Sequence, residues 1–390
     1  MRRTYSKPCR QCFAARLRDS HDWWLALMRV LHYQQLKPVC PCCKIKSKIS
    51  YLDLVIFSGN EEDILSGKLF CPDEECKNIY PIVYGVPILV PDVSGWLTAN
   101  LHLIGLKPFT DPELDVLIGK LIHPESAFTI TRQQQSSYCL DHYENEIKIK
   151  SSRVKDNSLK SSTNSFLDFI FKHMPSNRMP ILDLGCAVGG ATFRIAAQTR
   201  KPTLGVDQNW SFIQIAKNLL ACGISPYSHR VIANEFEIRE IELECNAREL
   251  VDFWVADALS LPFDDDRFGA VVASNLIDCV TDPGLLIENL AKVSCDSSRI
   301  FLTTPYDWAT HATPPMNWIY DTKDFSSFLE RVNGYLKSRH DINLSHFTDP
   351  KDFLWTLHLH DRAVITYATE INILSVGKRC HDRRRTENES

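Results

Sequence analysis

The sequence has 390 residues, of which 44% are hydrophobic and 24% are charged, as expected for a globular protein of two or three domains. The formal net charge of -4 provides no overall basic field and disfavours nucleic acid as a partner. No apolar run approaches the roughly 20 residues that span a bilayer, and no signal-peptide core follows the N-terminus, so we expect a cytoplasmic protein without membrane contact. The 14 cysteines therefore need an explanation other than disulfides.

Two segments of different character begin the chain. Residues 1–36 carry a wide apolar stripe and are predicted to be helical, with a Cys9/Cys12 pair that we interpret as structural rather than metal-binding. Residues 37–93 combine cysteines, glycines, prolines and short β-branched runs, which indicates a small β-rich module.

The cysteines of this module predict a metal site. Cys40 and Cys43 lie in one turn, and Cys71 and Cys76 lie in another. Two such turns direct four thiolates at one point, which suits a tetrahedral structural zinc. Four reduced, buried cysteines are the alternative, and Cys42 could replace Cys43 as a ligand.

The module resembles the short zinc-ribbon domain of the activator subunits of tRNA and protein methyltransferases. The resemblance covers residues 37–93 and depends on the cysteine pairs and on "YPIVYGVPILV" at 80–90. It implies a strand pair behind the metal, and it makes a protein partner that docks through the zinc ribbon an expectation. A catalytic zinc is not implied, because four thiolates leave no position for water.

The remaining chain divides into three segments that differ in composition and residue pattern. Residues 94–164 are predicted to be a helical connection that ends in a Ser-rich linker from about 150. From 165 to 378 helices and strands alternate, which indicates an α/β fold with a mostly parallel sheet. Residues 379–390 are predicted to be a polar tail.

The run "ILDLGCAVGGATFRIA" at 181–196 predicts a strand, a glycine-rich turn and a helix. Asp183 ends the strand, while Gly185 and Gly189 let a ligand approach the backbone. Ala187 stands where a glycine is usual, and alanine is tolerated there if the position needs slim packing and not a positive φ. Nucleotide, dinucleotide and S-adenosylmethionine (SAM) binders all use such turns, so this turn leaves all three open.

Later strand ends separate these possibilities. Asp207 ends a second strand 22 residues after Gly185, where a carboxylate can bind ribose hydroxyls. Asp257 and Ala258 end a third strand, where the adenine ring of SAM would lie. Asn275 ends a fourth strand, beside the position expected for the methyl group that SAM transfers. Any one aspartate could be only a helix cap, but the series predicts a class I SAM-dependent methyltransferase, a Rossmann-like fold with seven strands. The predicted cofactor contacts are Asp183, Gly185, Cys186, Gly189, Asp207, Gln208, Asp257, Ala258 and Asn275.

The chain is also similar to the 4-mercaptohistidine N-methyltransferases of ovothiol biosynthesis. This resemblance spans about 136–378 and depends on "NLIDCVTDP" at 275–283, on "LTTPYDWATHATPPMNWI" at 302–319 and on the ending at 352–378. It implies a small histidine-derived thiol as the methyl acceptor. Cys279 replaces an expected arginine, and the tyrosine of the last motif is displaced or absent near 364–367. If those positions bind the substrate carboxylate, the acceptor is a related but different compound.

Methyl transfer requires positioning of the acceptor nitrogen about 3–3.5 Å from the methyl group. A neutral imidazole is nucleophilic near pH 7, so neither a strong base nor a metal is required. Asn275 and Asp278 are candidates for orienting an N–H or ammonium group, and Tyr306 and Trp308 for walls around a flat ring. Capping by Asp278 and loop packing by the aromatic residues are the alternatives. Further candidates are Asn317 and Trp318 in the same wall, and His142 and Tyr143 in a lid over SAM.

Three functions follow from these patterns. The first is N-methylation of a small histidine-derived thiol or a related amino acid. The second is methylation of tRNA or protein with the ribbon as a docking platform, which the net charge and the lack of an Arg/Lys–aromatic stripe disfavour. The third is a non-catalytic partner subunit, which the complete set of Asp183, Asp207 and Asp257 disfavours.

Overall fold

The computed structural model describes residues 27–105, 117–118, 121–123, 125–148, 162–320 and 322–378. Cys9 and Cys12, most of the predicted linker and the polar tail lie outside these ranges, so the predictions made for them stay predictions. None of the helices in the described ranges combines the length and the apolar character needed to cross a membrane.

Helices and strands alternate along most of the described chain, and local sequence explains several of their ends. The Asn209 side chain caps α7, which ends at Gly223 in a left-handed conformation. Asp282 caps α8, with Pro283 at its first turn. The helices are α1 (Val30–Leu36), α2 (Pro41–Ile45), α3 (Val93–Gly105), α4 (Ala127–Tyr143), α5 (Ser162–Phe171), α6 (Gly190–Thr199), α7 (Trp210–Cys222), α8 (Pro283–Val293) and α9 (Thr322–His340). The strands are β1 (Met28–Arg29), β2 (Asp53–Gly59), β3 (Asp63–Phe70), β4 (Ile79–Val83), β5 (Val86–Leu89), β6 (Ile147–Lys148), β7 (Ile181–Leu184), β8 (Thr203–Asp207), β9 (Ile224–Ile232), β10 (Glu235–Glu242), β11 (Val251–Ala256), β12 (Phe268–Ser274), β13 (Ser294–Thr304), β14 (Ile342–His346), β15 (Lys351–His360) and β16 (Ala363–Lys378).

The predicted α/β fold with a mostly parallel sheet is confirmed. Seven strands lie in the order β11-β8-β7-β12-β13-β16-β14. The first five are parallel, and β16 is antiparallel to both of its neighbours. The chain order reverses between β7 and β12, which is where open α/β sheets bind ligands.

The cysteine-rich module continues the same sheet. Strand β5 pairs in parallel with β11, through Ile88 opposite Val255 and Leu89 opposite Ala256. Strands β4, β3 and β2 follow in antiparallel order, and the whole sheet has 13 strands. The module therefore shares hydrogen bonds and core with the strands of the predicted cofactor site, although the two were predicted as separate domains.

A second, antiparallel sheet is formed mainly by the segment between α7 and β11. Strands β9 and β10 form a hairpin, and β6 pairs with β10. At the outer end of this sheet, His229 Nε2 lies 2.6 Å from Asp361 Oδ1 in the turn between β15 and β16. This contact joins β9 to the β15–β16 hairpin.

Candidate active site

The glycine-rich turn joins β7 to α6 at the carboxyl edge of the sheet. Gly185 and Gly189 have φ of 73° and 85°, in the left-handed region that favours glycine. A Cβ on Gly189 would lie 2.7 Å from ring atoms of Phe253, so the packing of β11 excludes a side chain there. Ala187 also takes a positive φ, of 46°, contrary to the condition under which alanine was expected to be tolerated. Its N–H donates to Asp207 Oδ2 at 3.0 Å, which offsets this backbone strain.

Two of the predicted carboxylates are held by backbone N–H groups. Asp207, at the end of β8, accepts from Ala187 at 3.0 Å and from Asn209 at 2.8 Å. Asp257, just after β11, accepts from Leu259 at 2.9 Å. Because a carboxylate offers about four acceptor sites, both side chains can also bind hydroxyl or amine groups of a ligand.

Side-chain hydroxyl groups donate hydrogen bonds to the predicted residues at the other two strand ends. The Thr192 hydroxyl donates to Asp183 Oδ2 at 2.6 Å, and the Thr303 hydroxyl donates to Asn275 Oδ1 at 2.7 Å. Burial raises the pKa of Asp183 to about 7, and the nearby charge of Asp207 adds to the rise. Asn275 also donates its backbone N–H to the Thr303 carbonyl at 3.0 Å, so β13 fixes its position from both sides.

These strand ends line a cavity of about 640 Å³. We call the part over β11, β8 and β7 the cofactor half, and the part over β12, β13 and β16 the acceptor half. Gly189 lies behind the turn rather than in the cavity wall. The other predicted cofactor contacts all line the cavity: Asp183, Gly185, Cys186, Asp207, Gln208, Asp257, Ala258 and Asn275.

Asp278 is the central polar group of the acceptor half. It is 3% exposed, and its Oδ2 accepts the N–H of Asp307 at 3.2 Å. Its other oxygen, Oδ1, is buried and has no hydrogen-bond partner among the described residues. Burial raises the pKa of Asp278 to about 6, and the charge of Asp307 contributes to that rise. This carboxyl group is available to accept an N–H from a ligand.

Aromatic residues without a predicted role also line the cavity. Trp355 and Tyr367 lie directly opposite each other on β15 and β16. Tyr138 on α4 meets Phe212 on α7 with ring centroids 5.0 Å apart. One sequence signal was available, because Tyr138 precedes the candidate His142 by four residues and so shares its helix face. Tyr367 lies in the 364–367 segment where the resemblance places a tyrosine, whereas no local signal marked Trp355.

Tyr306 and Trp308, which were predicted to enclose a flat ring, lie outside the cavity lining. The Tyr306 hydroxyl donates to Glu370 Oε1 at 2.9 Å, and the Trp308 indole donates to the carbonyl of Ile319 at 2.7 Å. Both side chains pack the segment that follows β13, which is the alternative that the sequence left open.

Of the remaining candidates, some line this cavity and others lie outside it. His142 lines the cavity, where its Nδ1 accepts the N–H of Gly190 at 3.1 Å, and burial lowers its pKa to about 3. Tyr143 is buried and donates to the carbonyl of Val188 at 2.7 Å, which is a structural contact. Asn317 and Trp318 line a separate cavity of about 520 Å³.

The four predicted metal ligands converge in the N-terminal module. The sulfurs of Cys40, Cys43, Cys71 and Cys76 all lie within 4.8 Å of one another. The Cys40–Cys76 and Cys43–Cys71 pairs are each separated by 3.6 Å. Four sulfurs at about 2.3 Å from one zinc would be roughly 3.8 Å apart, so the cluster is compatible with zinc. Cys42 lies outside the cluster and donates to a backbone carbonyl at 3.0 Å.

Solved structures with similar folds have low sequence identity to this chain. Haemonchus contortus phosphoethanolamine N-methyltransferase 2, in complex with SAM, is 14% identical over 47% of this chain and 39% of its own, with a TM-score of 0.33. A complex of the Haloferax volcanii Trm112 methyltransferase activator with a methyltransferase gives 13% identity, coverage of 56% and 90%, and a TM-score of 0.36. The [4+2]-cyclase SpnF gives 15% identity, coverage of 56% and 74%, and a TM-score of 0.37. At these values the neighbours determine neither substrate nor partner.

The family comparison is more specific. A search of curated proteins finds no match to this sequence. A family model described as a methyltransferase domain matches residues 175–323, which include the glycine-rich turn and the four predicted strand ends. The predicted methyltransferase is thus supported over residues 175–323, the part of the chain that matches this family model.

Proposed function

We propose that this chain is a SAM-dependent methyltransferase that N-methylates a small histidine-derived thiol or a closely related acceptor. The observation that carries the proposal is the cavity that joins the predicted SAM-binding strand ends to an aromatic, carboxylate-lined acceptor half. Its volume of about 640 Å³ lies within the roughly 300–1,000 Å³ of small-molecule sites, which is compatible with SAM and a small acceptor.

The residues of the cofactor half fit SAM. Six aspartates line the cavity, and its lining has no Lys or Arg among the described residues, so it suits a ligand with a sulfonium and an ammonium group. Asp207 would accept the ribose hydroxyls, and Asp257 lies at the strand end expected for adenine. His142 already accepts the N–H of Gly190, so in the first turn of α6 the N–H of Ala191, which lines the cavity, would face the SAM carboxylate. When bound, SAM supplies an electrophilic methyl group.

The acceptor half supplies orientation rather than strong base catalysis. The Asp278 carboxylate would accept a hydrogen bond from one ring N–H of an imidazole, which leaves the lone pair of the other nitrogen free to attack. Trp355 and Tyr367 would restrict a flat ring to a small range of orientations. Because the pKa of Asp278 is about 6, near that of imidazole, its carboxylate is also matched to accept the proton that the methylated ring loses.

The test is a product assay on purified protein. SAM is supplied with 4-mercaptohistidine in one reaction and with bulk tRNA in another, and small thiols are analysed by mass spectrometry. We expect a mass gain of one methyl group on the small thiol. Tight SAM binding by calorimetry with unchanged thiols and methylated tRNA would instead support the macromolecular function. Absence of SAM binding would reject both.

We also propose that Cys40, Cys43, Cys71 and Cys76 bind one structural zinc ion. Four thiolates within 4.8 Å of one another would repel, so a bound cation would be needed to keep them together. Metal analysis and native mass spectrometry should find one zinc per chain. Cys71→Ser should lose it, whereas Cys42→Ser, a change outside the cluster, should retain it. Equal zinc content in both variants would reject this ligand set.

A further inference from the structure

Among the described residues that line the acceptor half, the charged side chains are all carboxylates. Asp278 and Asp307 line it after β12 and β13, and Asp141 lines it from α4. Asp278 is only 3% exposed, and its Oδ1 has no hydrogen-bond partner among the described residues. Within the described lining, Lys and Arg are absent, and His142 is held neutral.

This arrangement opposes an acceptor that carries its own carboxylate. Such a group would lie beside like charges in a partly desolvated cavity, with no described cation to pair with it. An ammonium group would instead satisfy the open Oδ1 of Asp278, and a hydrogen bond between two charged groups is stronger than one between neutral groups.

The position next to Asp278 adds no cation. Cys279 lines the cavity there, one residue after Asp278. A thiol carries no positive charge, so it cannot form an ion pair with the carboxylate of an acceptor.

We propose that the acceptor is a cationic aromatic amine without a carboxylate: a flat ring, of imidazole type, with an ammonium arm. This inference rests on the proposed function and narrows it from a histidine-derived amino acid to the corresponding decarboxylated amine. Trp355 and Tyr367 contact the ring, and Asp278 and Asp307 bind its N–H and ammonium groups.

The first experiment measures binding to protein loaded with S-adenosylhomocysteine. Isothermal titration compares histamine with histidine and tyramine with tyrosine, so that each pair differs only in the carboxylate. We expect each amine to bind at least 10-fold more tightly than its amino acid. Equal or tighter binding of the amino acids, or no binding of the amines, would overturn the inference.

The second experiment separates this inference from the proposed function. 4-Mercaptohistamine and 4-mercaptohistidine are compared as methyl acceptors, and we expect a kcat/KM at least 10-fold higher for the amine. A preference for mercaptohistidine would overturn the inference while the proposed function stands. Amines that bind preferentially without being methylated would reject the proposed function while the charge inference stands.

Variants of the cavity carboxylates identify the groups that cause the preference for amines over amino acids. Asp278→Asn should reduce the ratio of amine to amino-acid affinity about 10-fold, and Asp307→Asn, in an exposed position, should reduce it with less effect on folding. Asp282→Asn, at an exposed helix cap outside this cavity, should leave the ratio unchanged. The ratio is the decisive readout, because a purely structural defect would weaken both ligands equally. An unchanged ratio in both cavity variants would contradict the assignment.

Discussion

The two halves of the cavity hold their carboxylates in different ways. In the cofactor half, Asp207 and Asp257 accept backbone N–H groups from the turns that follow their own or a neighbouring strand. In the acceptor half, Asp278 accepts one backbone N–H and keeps a buried oxygen without a described partner. The carboxylates of the cofactor half are therefore held by the protein itself, whereas Asp278 in the acceptor half keeps one oxygen that a ligand could satisfy.

The largest effect should come from breaking the cofactor half. Asp207→Ala removes the predicted ribose acceptor and the partner of the Ala187 and Asn209 N–H groups. We expect SAM affinity to fall at least 100-fold, equivalent to about 2.7 kcal/mol, as measured by calorimetry. Asp282→Ala is the matched control, since it also removes an aspartate that accepts a backbone N–H, but at the start of α8. Unchanged SAM binding by a folded Asp207→Ala variant would refute the site assignment.

The acceptor half should show a cost in stability. The pKa of Asp278 is raised from 3.8 to about 6, so its favourable contribution to folding is present below pH 3.8 and is lost as the pH rises through about 6. Asp278→Asn removes the ionisable group and should raise the free energy of unfolding by about 2 kcal/mol at pH 7.5. Chemical denaturation should show little change at pH 4. An equal effect at both pH values would contradict burial of an ionised Asp278.

A cation placed in the acceptor half should reverse its preference. Cys279→Arg introduces a positive charge beside Asp278, and we expect the ratio of amine to amino-acid affinity to fall about 10-fold, equivalent to about 1.4 kcal/mol. Cys279→Met adds length without charge and should leave the ratio close to that of the wild type. Titration with the histamine and histidine pair measures both. A similar shift in the two variants would assign the effect to size rather than charge.

The two halves of the cavity also differ in how many of their residues could be predicted from the sequence. Asp183, Asp207 and Asp257 each end a buried strand, so a local pattern and the geometry of parallel sheets suffice to bring them together. Trp355 and Tyr367 reach the cavity only because β15 pairs with β16 in one register, and no local pattern specifies that long-range pairing. Most residues that line the cofactor half were therefore named from the sequence, while most of those that line the acceptor half required the structure.

Aromatic composition alone was misleading. Tyr306 and Trp308 follow β13 closely and have polar groups that suit a ring site, but Glu370 and the backbone of Ile319 bind those groups inside the protein. Amphipathic aromatic residues satisfy their polar atoms wherever a buried partner exists, so sequence proximity to a strand end does not determine which way they face.

The smallest effect concerns the turn of the cofactor half. Ala187 has a φ of 46°, where an L-residue with a side chain is strained by about 1–2 kcal/mol, whereas glycine costs about 0.5–1 kcal/mol of chain entropy. Ala187→Gly should therefore raise the free energy of unfolding by up to about 1 kcal/mol while the hydrogen bond to Asp207 and the SAM affinity persist. Ala197→Gly, within α6, should instead lower it by about 1 kcal/mol. Thermal and chemical denaturation of the two variants test the sign, and a loss of stability in both would show that the backbone at 187 is not strained.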